Sequence, residues 1–186
     1  RYDDVYDLKK SLVTEFNIEG NPTPAFIKLC KDVCPNQITL VPDSPEAITS
    51  NAGWNTIKHK SFLIDVINEL KTTGSRISIF IDPVEEMILH AKDTGCDRIE
   101  LYTEAYAAQF SNDKEDAIKP YRTAADVAIK CGLKLNAGHD LSLENLNYFV
   151  RIIPEIEEVS IGHALISDAL YRGLENTVKA YLNELN

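Results

Sequence analysis

No stretch of the 186 residues approaches the ~20 consecutive apolar positions that a membrane-spanning helix needs. The N-terminus also lacks a basic segment leading through an apolar run to a small-residue cleavage site. These absences lead to the expectation of a cytoplasmic protein with no membrane partner. Positive charge is scarce as well: 19 Lys and Arg stand against 29 Asp and Glu, giving a formal charge of −10 and a pI near 4.8. A nucleic-acid backbone calls for the opposite sign, so no nucleic-acid partner is expected. Cysteine is sparse and scattered. Cys30, Cys34, Cys96 and Cys131 form no CxxC pair and are too few for a disulfide scaffold in a chain of this length. Cys30 and Cys34 share a helical face, but no His or further Cys lies close in sequence to complete a metal site. They read as thiols packed like small hydrophobes, and no metal is expected.

What is present is core-forming material. Apolar residues make up 44% and charged residues 26%, which suits one globular domain over residues 1–186. Short β-branched runs recur between longer amphipathic stretches: TEFNIEG, NQITLVPD, RISIFIDP, CDRIELYT, GLKLNAGH and EVSIGHAL. Helical patterns such as PAFIKLCKDV, KSFLIDVINELKTTG, PVEEMILHAKDTG and ISDALYRGLENTVKAYLNEL separate or follow them. Strand and helix alternate throughout, which predicts parallel strands joined by right-handed crossovers.

Both a doubly wound sheet and a (β/α)8 TIM barrel are built from such units, and the strand faces separate them. A doubly wound sheet buries both faces and its strands read as nearly continuous apolar runs. Here they alternate. One face takes Ile18, Ile38, Leu40, Ile77, Ile79, Ile99, Leu101 and Leu135, and the other takes Glu19, Thr39, Ser78, Arg98, Glu100, Lys134 and Asn136. An apolar outer face under helices with a polar inner face predicts the barrel, with a hydrated, charged lumen. Eight units in about 250 residues are usual for that fold, whereas six are counted here. With Arg1 rather than Met at the start, the expectation is that the first two β/α units are absent from this chain and that YDDVYDLKKSLV is the second helix.

Active sites of such barrels lie at the C-terminal ends of the strands. That ring carries Glu19, Asp43, Asp82, Glu100, Thr103, Asn136, His139, Gly162 and His163, while His59 and His90 fall on helices. Two imidazoles facing two strand-borne carboxylates make an acid/base constellation. Pairing of Glu19 or Glu100 with Arg98 or Lys134 is the competing reading, and the residues alone leave it open. Gly162-His163, the NAGHD turn and the SPEAITSNAGWN loop are candidate phosphate cradles, because glycine admits close backbone approach and a helix N-terminus presents N–H groups. YAAQFSNDKEDAI is the candidate mobile loop.

Together LVPDSPEAITSNAGWN, ISIFIDP, CDRIELYTEAYA, KLNAGHDLSLENL and VSIGHALISDALYRGL resemble the pyridoxine 5′-phosphate synthase family almost end to end. The resemblance implies a (β/α)8 barrel assembled as a homo-octamer that works without cofactor or metal. It also implies the activity: condensation of 1-deoxy-D-xylulose 5-phosphate with 3-amino-2-oxopropyl phosphate to pyridoxine 5′-phosphate, releasing phosphate and water. By the same resemblance Glu19 is a general base, Glu100 stabilises charged intermediates and His139 is a proton donor. Ser50 contacts deoxyxylulose phosphate, and Asp140, Gly162 and His163 contact the amino-oxopropyl phosphate. Other members have Gly at the position of Asp140. The family's Asp-His pair of the first strand and His-x-Arg-Glu motif of the second have no counterpart here. The alternative is another barrel enzyme acting on sugar phosphates, an epimerase or an aldolase; a Schiff-base aldolase needs a desolvated lysine, and the strand lysine on offer is Lys134.

Overall fold

The computed structural model describes residues 1–43 and 52–186. Helix α1 (Tyr2–Ser11) leads into β1 (Asn17–Gly20), α2 (Pro24–Val33), β2 (Gln37–Leu40), α3 (Lys60–Lys71) and β3 (Arg76–Ile81). Then come α4 (Glu85–Ala91) with a 3₁₀ turn at Lys92–Thr94, β4 (Arg98–Tyr102), α5 (Glu104–Phe110), α6 (Lys114–Lys130) and β5 (Lys134–Gly138). Helix α7 (Leu146–Ile152), β6 (Ile156–Ser160), α8 (His163–Arg172) and α9 (Leu174–Glu184) complete the order.

Local chemistry explains these bounds. In α2 the Thr23 hydroxyl accepts the Phe26 N–H at 3.2 Å and Pro24 takes the first turn, where its missing donor costs nothing. Phe26, Leu29, Cys30 and Val33 recur at helical spacing and are buried on one face, and Leu63, Val66, Ile67 and Leu70 repeat the pattern in α3. Cys34 ends α2 with φ +48° and is exposed, unlike the buried Cys30 and Cys96, so the reading of all four thiols as core is wrong at that position.

All six strands pair in parallel and in sequence order, β1 through β6. No switch point interrupts the order, which removes the doubly wound alternative. The sheet curls. Gln37 on β2 donates to Glu158 on β6 at 3.0 Å, although four strand spacings in a flat sheet would separate them by about 19 Å. Ile38, Leu40, Ile77, Ile79, Ile99, Leu101 and Leu135 lie on the outer, helix-covered face in one apolar cluster with the helix residues. The outcome is an α/β fold whose six-stranded parallel sheet forms an arc of a barrel. Among the described residues no helix is long and apolar enough to cross a membrane.

Three expectations change. The last strand runs over Ile156–Ser160 rather than 158–165, because a register irregularity at Leu135/Asn136 brings in Ile156 and Glu157 earlier. The final helical pattern breaks at Gly173, whose φ of +78° a helix does not accommodate. The expected mobile loop over residues 106–118 is mostly helix. Tyr106 is buried against Tyr121 and Phe149, and Asp113 caps α6 by accepting N–H groups of Glu115 and Asp116.

Candidate active site

The C-terminal strand ends converge on a cavity of about 420 Å³ lined by Glu19 (β1), Phe80 (β3), Glu100 (β4), His139, Ser160 (β6), Ile161, Gly162 and His163. Alternation puts them there. Glu19 shares its strand face with Asn17, Glu100 shares its face with Arg98, and the intervening Ile18, Ile99 and Leu101 turn to the helices. Thr103, just past β4, ties this end to the next: its hydroxyl donates to Gly138 O at 2.7 Å and accepts the Asp140 N–H at 3.2 Å. His139 therefore sits in a pinned turn, with its own N–H on Ser160 O at 3.1 Å and an unusual φ of +93°.

Gly138 is small for a reason. A Cβ at that position would run into Oε1 of Glu100, so the glycine leaves the room in which that carboxyl lies. Glu100 is 1% exposed and its Oε2 has no hydrogen-bond partner among the described residues. Burial, with the nearby Glu19 charge, pushes its pKa up to about 8 against the pull of a hydrogen bond from Ser160. Glu19 reaches solvent at the rim, yet the protein crowding its carboxyl raises its pKa, His139 opposes the rise and Asp43 adds to it. Two carboxyls that feel each other seldom ionise together. The fully enclosed Glu100 is the one that keeps the proton, and Glu19, facing an imidazole, is the one that gives it up.

Neither carboxyl pairs with a strand cation in the way the competing reading required. Arg98 instead bridges Glu157 at 3.1 Å and Asn136 at 3.2 Å, and Lys134 pairs with Glu157 at 2.5 Å on an exposed rim. Lys134 is the first residue of its strand and lies at the end away from the cavity, which removes the support for a Schiff-base aldolase. Gly162 and His163 begin α8 at the cavity edge, with open space where a Gly162 Cβ would stand. Asp140 turns its carboxylate onto His139, Oδ2 to Nδ1 at 2.6 Å. Ser50 lies outside the described residues. Reading the strands for polar residues missed the aromatic wall: Phe80 lies 5.1 Å from Tyr102 and 6.5 Å from His139 between ring centroids. The signal was available, because Phe80 has the parity of Ser78 and Asp82, and Tyr102 that of Glu100.

A parallel sheet curled around acid/base side chains at its C-terminal strand ends defines a TIM-barrel-like enzyme, and solved structures agree on the fold. The tryptophan synthase α-subunit of Pyrococcus furiosus superposes with a TM-score of 0.64 at 17% identity, over 99% of this chain and 71% of that one. Phosphoribosylanthranilate isomerase of Thermotoga maritima gives 0.58 at 12% identity, over 100% and 79%. At the level of sequence the match is far more specific. The model of the pyridoxal phosphate biosynthesis protein PdxJ family matches residues 1–186, and the chain belongs to that family. It is 59% identical over 185 residues to the pyridoxine 5′-phosphate synthase of Cytophaga hutchinsonii and 56% identical over 185 residues to that of Christiangramia forsetii. In both cases the match spans 100% of this chain and 78% of the relative.

Proposed function

We propose that this protein is a pyridoxine 5′-phosphate synthase like its relatives, and that, as the family resemblance implies, it condenses 1-deoxy-D-xylulose 5-phosphate with 3-amino-2-oxopropyl phosphate to pyridoxine 5′-phosphate. The observation that carries the reading is the cavity in which Glu19, Glu100, His139 and His163 meet at the strand ends. Joining an amine to a ketone, losing water and phosphate and closing a ring are a series of proton transfers, and each needs a group already in the required protonation state. Glu19, the carboxyl that ionises first, takes the base role. Glu100 stays protonated in its dry recess and donates a hydrogen bond to charge developing on the substrate, much as a buried neutral acid does in other enzymes. His139 delivers a proton to the leaving hydroxyl or phosphate. The α8 N-terminus, with Gly162 and His163, offers N–H groups and an imidazole to a phosphate in a chain that is otherwise acidic.

The arc of six strands is read as part of a (β/α)8 barrel. Relatives of which the chain covers 78% have the length for two further β/α units. The homo-octamer and the cytoplasmic location belong to the same proposal and rest on the family resemblance. Incubating the native protein with both substrates and detecting pyridoxine 5′-phosphate tests the activity; no product would overturn it. Glu19→Gln keeps the shape and removes the base, so turnover should fall about 10²–10⁴-fold with the fold intact. A fully active variant returns Glu19 to a structural role.

A further inference from the structure

Consecutive side chains on a strand point to opposite faces, so neighbours seldom touch. His139 and Asp140, just past the end of β5, do touch: His139 adopts a φ of +93°, a backbone state that costs a non-glycine residue on the order of 1–3 kcal/mol. The surrounding structure holds the turn from both sides. His139 N–H donates to Ser160 O on β6, Asp140 N–H donates to the Thr103 hydroxyl beyond β4, and Asn145 Nδ2 reaches Asp140 O at 3.4 Å. Thr103, itself fully buried, has its remaining hydrogen bond on Gly138 O. The result is a 2.6 Å contact between Asp140 Oδ2 and His139 Nδ1, in the short range of charge-assisted hydrogen bonds, with the two side chains 32% and 19% exposed.

We propose that Asp140 is a positioning residue of the reaction: its carboxylate holds Nδ1–H of His139 and so fixes the tautomer that works on substrate through Nε2. A neutral imidazole protonates one nitrogen only, and an acceptor at Nδ1 selects which one. Ring contacts then set the plane: Tyr102 stands edge-on at 5.4 Å and His163 at 6.1 Å between centroids. A direct grip on substrate phosphate by Asp140 fits the geometry less well. Its carboxylate would repel an anion, and its N–H is already given to Thr103. The proposal rests on the synthase reading for its catalytic meaning, while the tautomer itself does not.

Two measurements on the native protein decide it. Long-range ¹H–¹⁵N spectra of the imidazoles, with His139 assigned by its disappearance in His139→Asn, should give the Nδ1–H tautomer in the wild type and a shift toward Nε2–H in Asp140→Ala. Steady-state kinetics of Asp140→Ala should give kcat lowered about 10–100-fold, the usual size for losing the group that orients a functional imidazole, with KM within about threefold. Asp140→Glu should recover part of the loss. An unchanged tautomer in Asp140→Ala, or a raised KM with kcat intact, overturns the proposal; the latter makes Asp140 a binding group. If the alanine variant does not fold, Asp140→Ser is put through the same two measurements. Failure of the wild type to form product would strike the synthase reading alone, and the spectra would still decide the pairing.

Discussion

At the scale of single residues, the decisive feature is that Glu100 is enclosed without a cation. A carboxyl whose pKa stands near 8 in the folded protein, against about 4.3 in an unfolded chain, holds a proton in the native state that the unfolded state has already released. Between those values each rise in pH favours unfolding, since the unfolded chain binds fewer protons. Glu100→Gln removes that dependence. The variant should therefore gain stability relative to the parent as pH rises from about 5 to 8, by an amount on the order of a few kcal/mol, with the difference levelling off above. Urea unfolding of both proteins at several pH values measures it. A constant difference across the range would mean that Glu100 is ionised in the folded protein, and its role as a hydrogen-bond donor would fall. The sequence could place Glu100 on the inner face by parity, but the depth of its burial was not legible there. Burial depends on Phe80, Gly138 and Ser160, which come from three different strands.

At the scale of elements, alternation was readable because the helix-covered face needs Ile, Leu and Val while the lumen tolerates polar groups, a contrast with period two in every strand. That is why all six strands and their parallel order could be read from the residues. What alternation does not encode is an inserted residue, which is how the irregularity at Leu135/Asn136 displaced β6, or a single glycine that stops a helix whose apolar rhythm continues, as at Gly173. Nor does it reveal a left-handed histidine, since nothing local marks His139 as unusual. Its conformation is imposed by Thr103 and Ser160 from outside the segment. The end of β5 is correspondingly intolerant. Gly138→Ala would press a methyl group on Glu100 Oε1 and bring it within 3.0 Å of the Ser160 Cβ and carbonyl oxygen. With Glu100 enclosed, relief must come from the strand ends, so the expected cost is about 1–3 kcal/mol, typical of an overfilled site, together with displacement of the acid and loss of turnover. Gly162→Ala, where the added methyl meets open space at an ordinary φ of −107°, should change stability by no more than about 0.5 kcal/mol. Equal melting temperatures for the two variants would show that β5 can yield.

At the scale of the whole molecule, the inner face of the curled sheet separates its charges along the strands. The cations Arg76, Arg98 and Lys134 stand at or near the N-terminal starts of β3, β4 and β5, paired with Glu15 and Glu157, while Glu19, Glu100, His139 and His163 occupy the opposite end. Between them lie Ser78, Asn136 and the Phe80 ring. The separation leaves Glu19 and Glu100 free of guanidinium partners that would drive their pKa values down, as the proposed pairing of a protonated acid with a base requires. It also makes the N-terminal floor a structural lock whose members differ in worth. The Arg98 side chain is 11% exposed and joins β4 to β5 and β6 through Asn136 and Glu157, whereas the Lys134 side chain is 63% exposed and meets the same Glu157 from solvent. Removing Arg98 leaves Glu157 with Lys134 as its remaining cationic partner and leaves the half-buried Glu158, whose pKa burial raises and Arg98 lowers, without its main cationic neighbour. Arg98→Met should cost about 1–3 kcal/mol, between an exposed pair and a fully buried one, because Glu157 is 37% exposed and keeps Lys134. Lys134→Met should cost no more than about 1 kcal/mol, as exposed pairs do. Denaturant unfolding of the two variants side by side gives both numbers. If they came out alike, the floor would be a solvated surface rather than a lock, and the curl of the sheet would have to be held by the outer apolar layer alone.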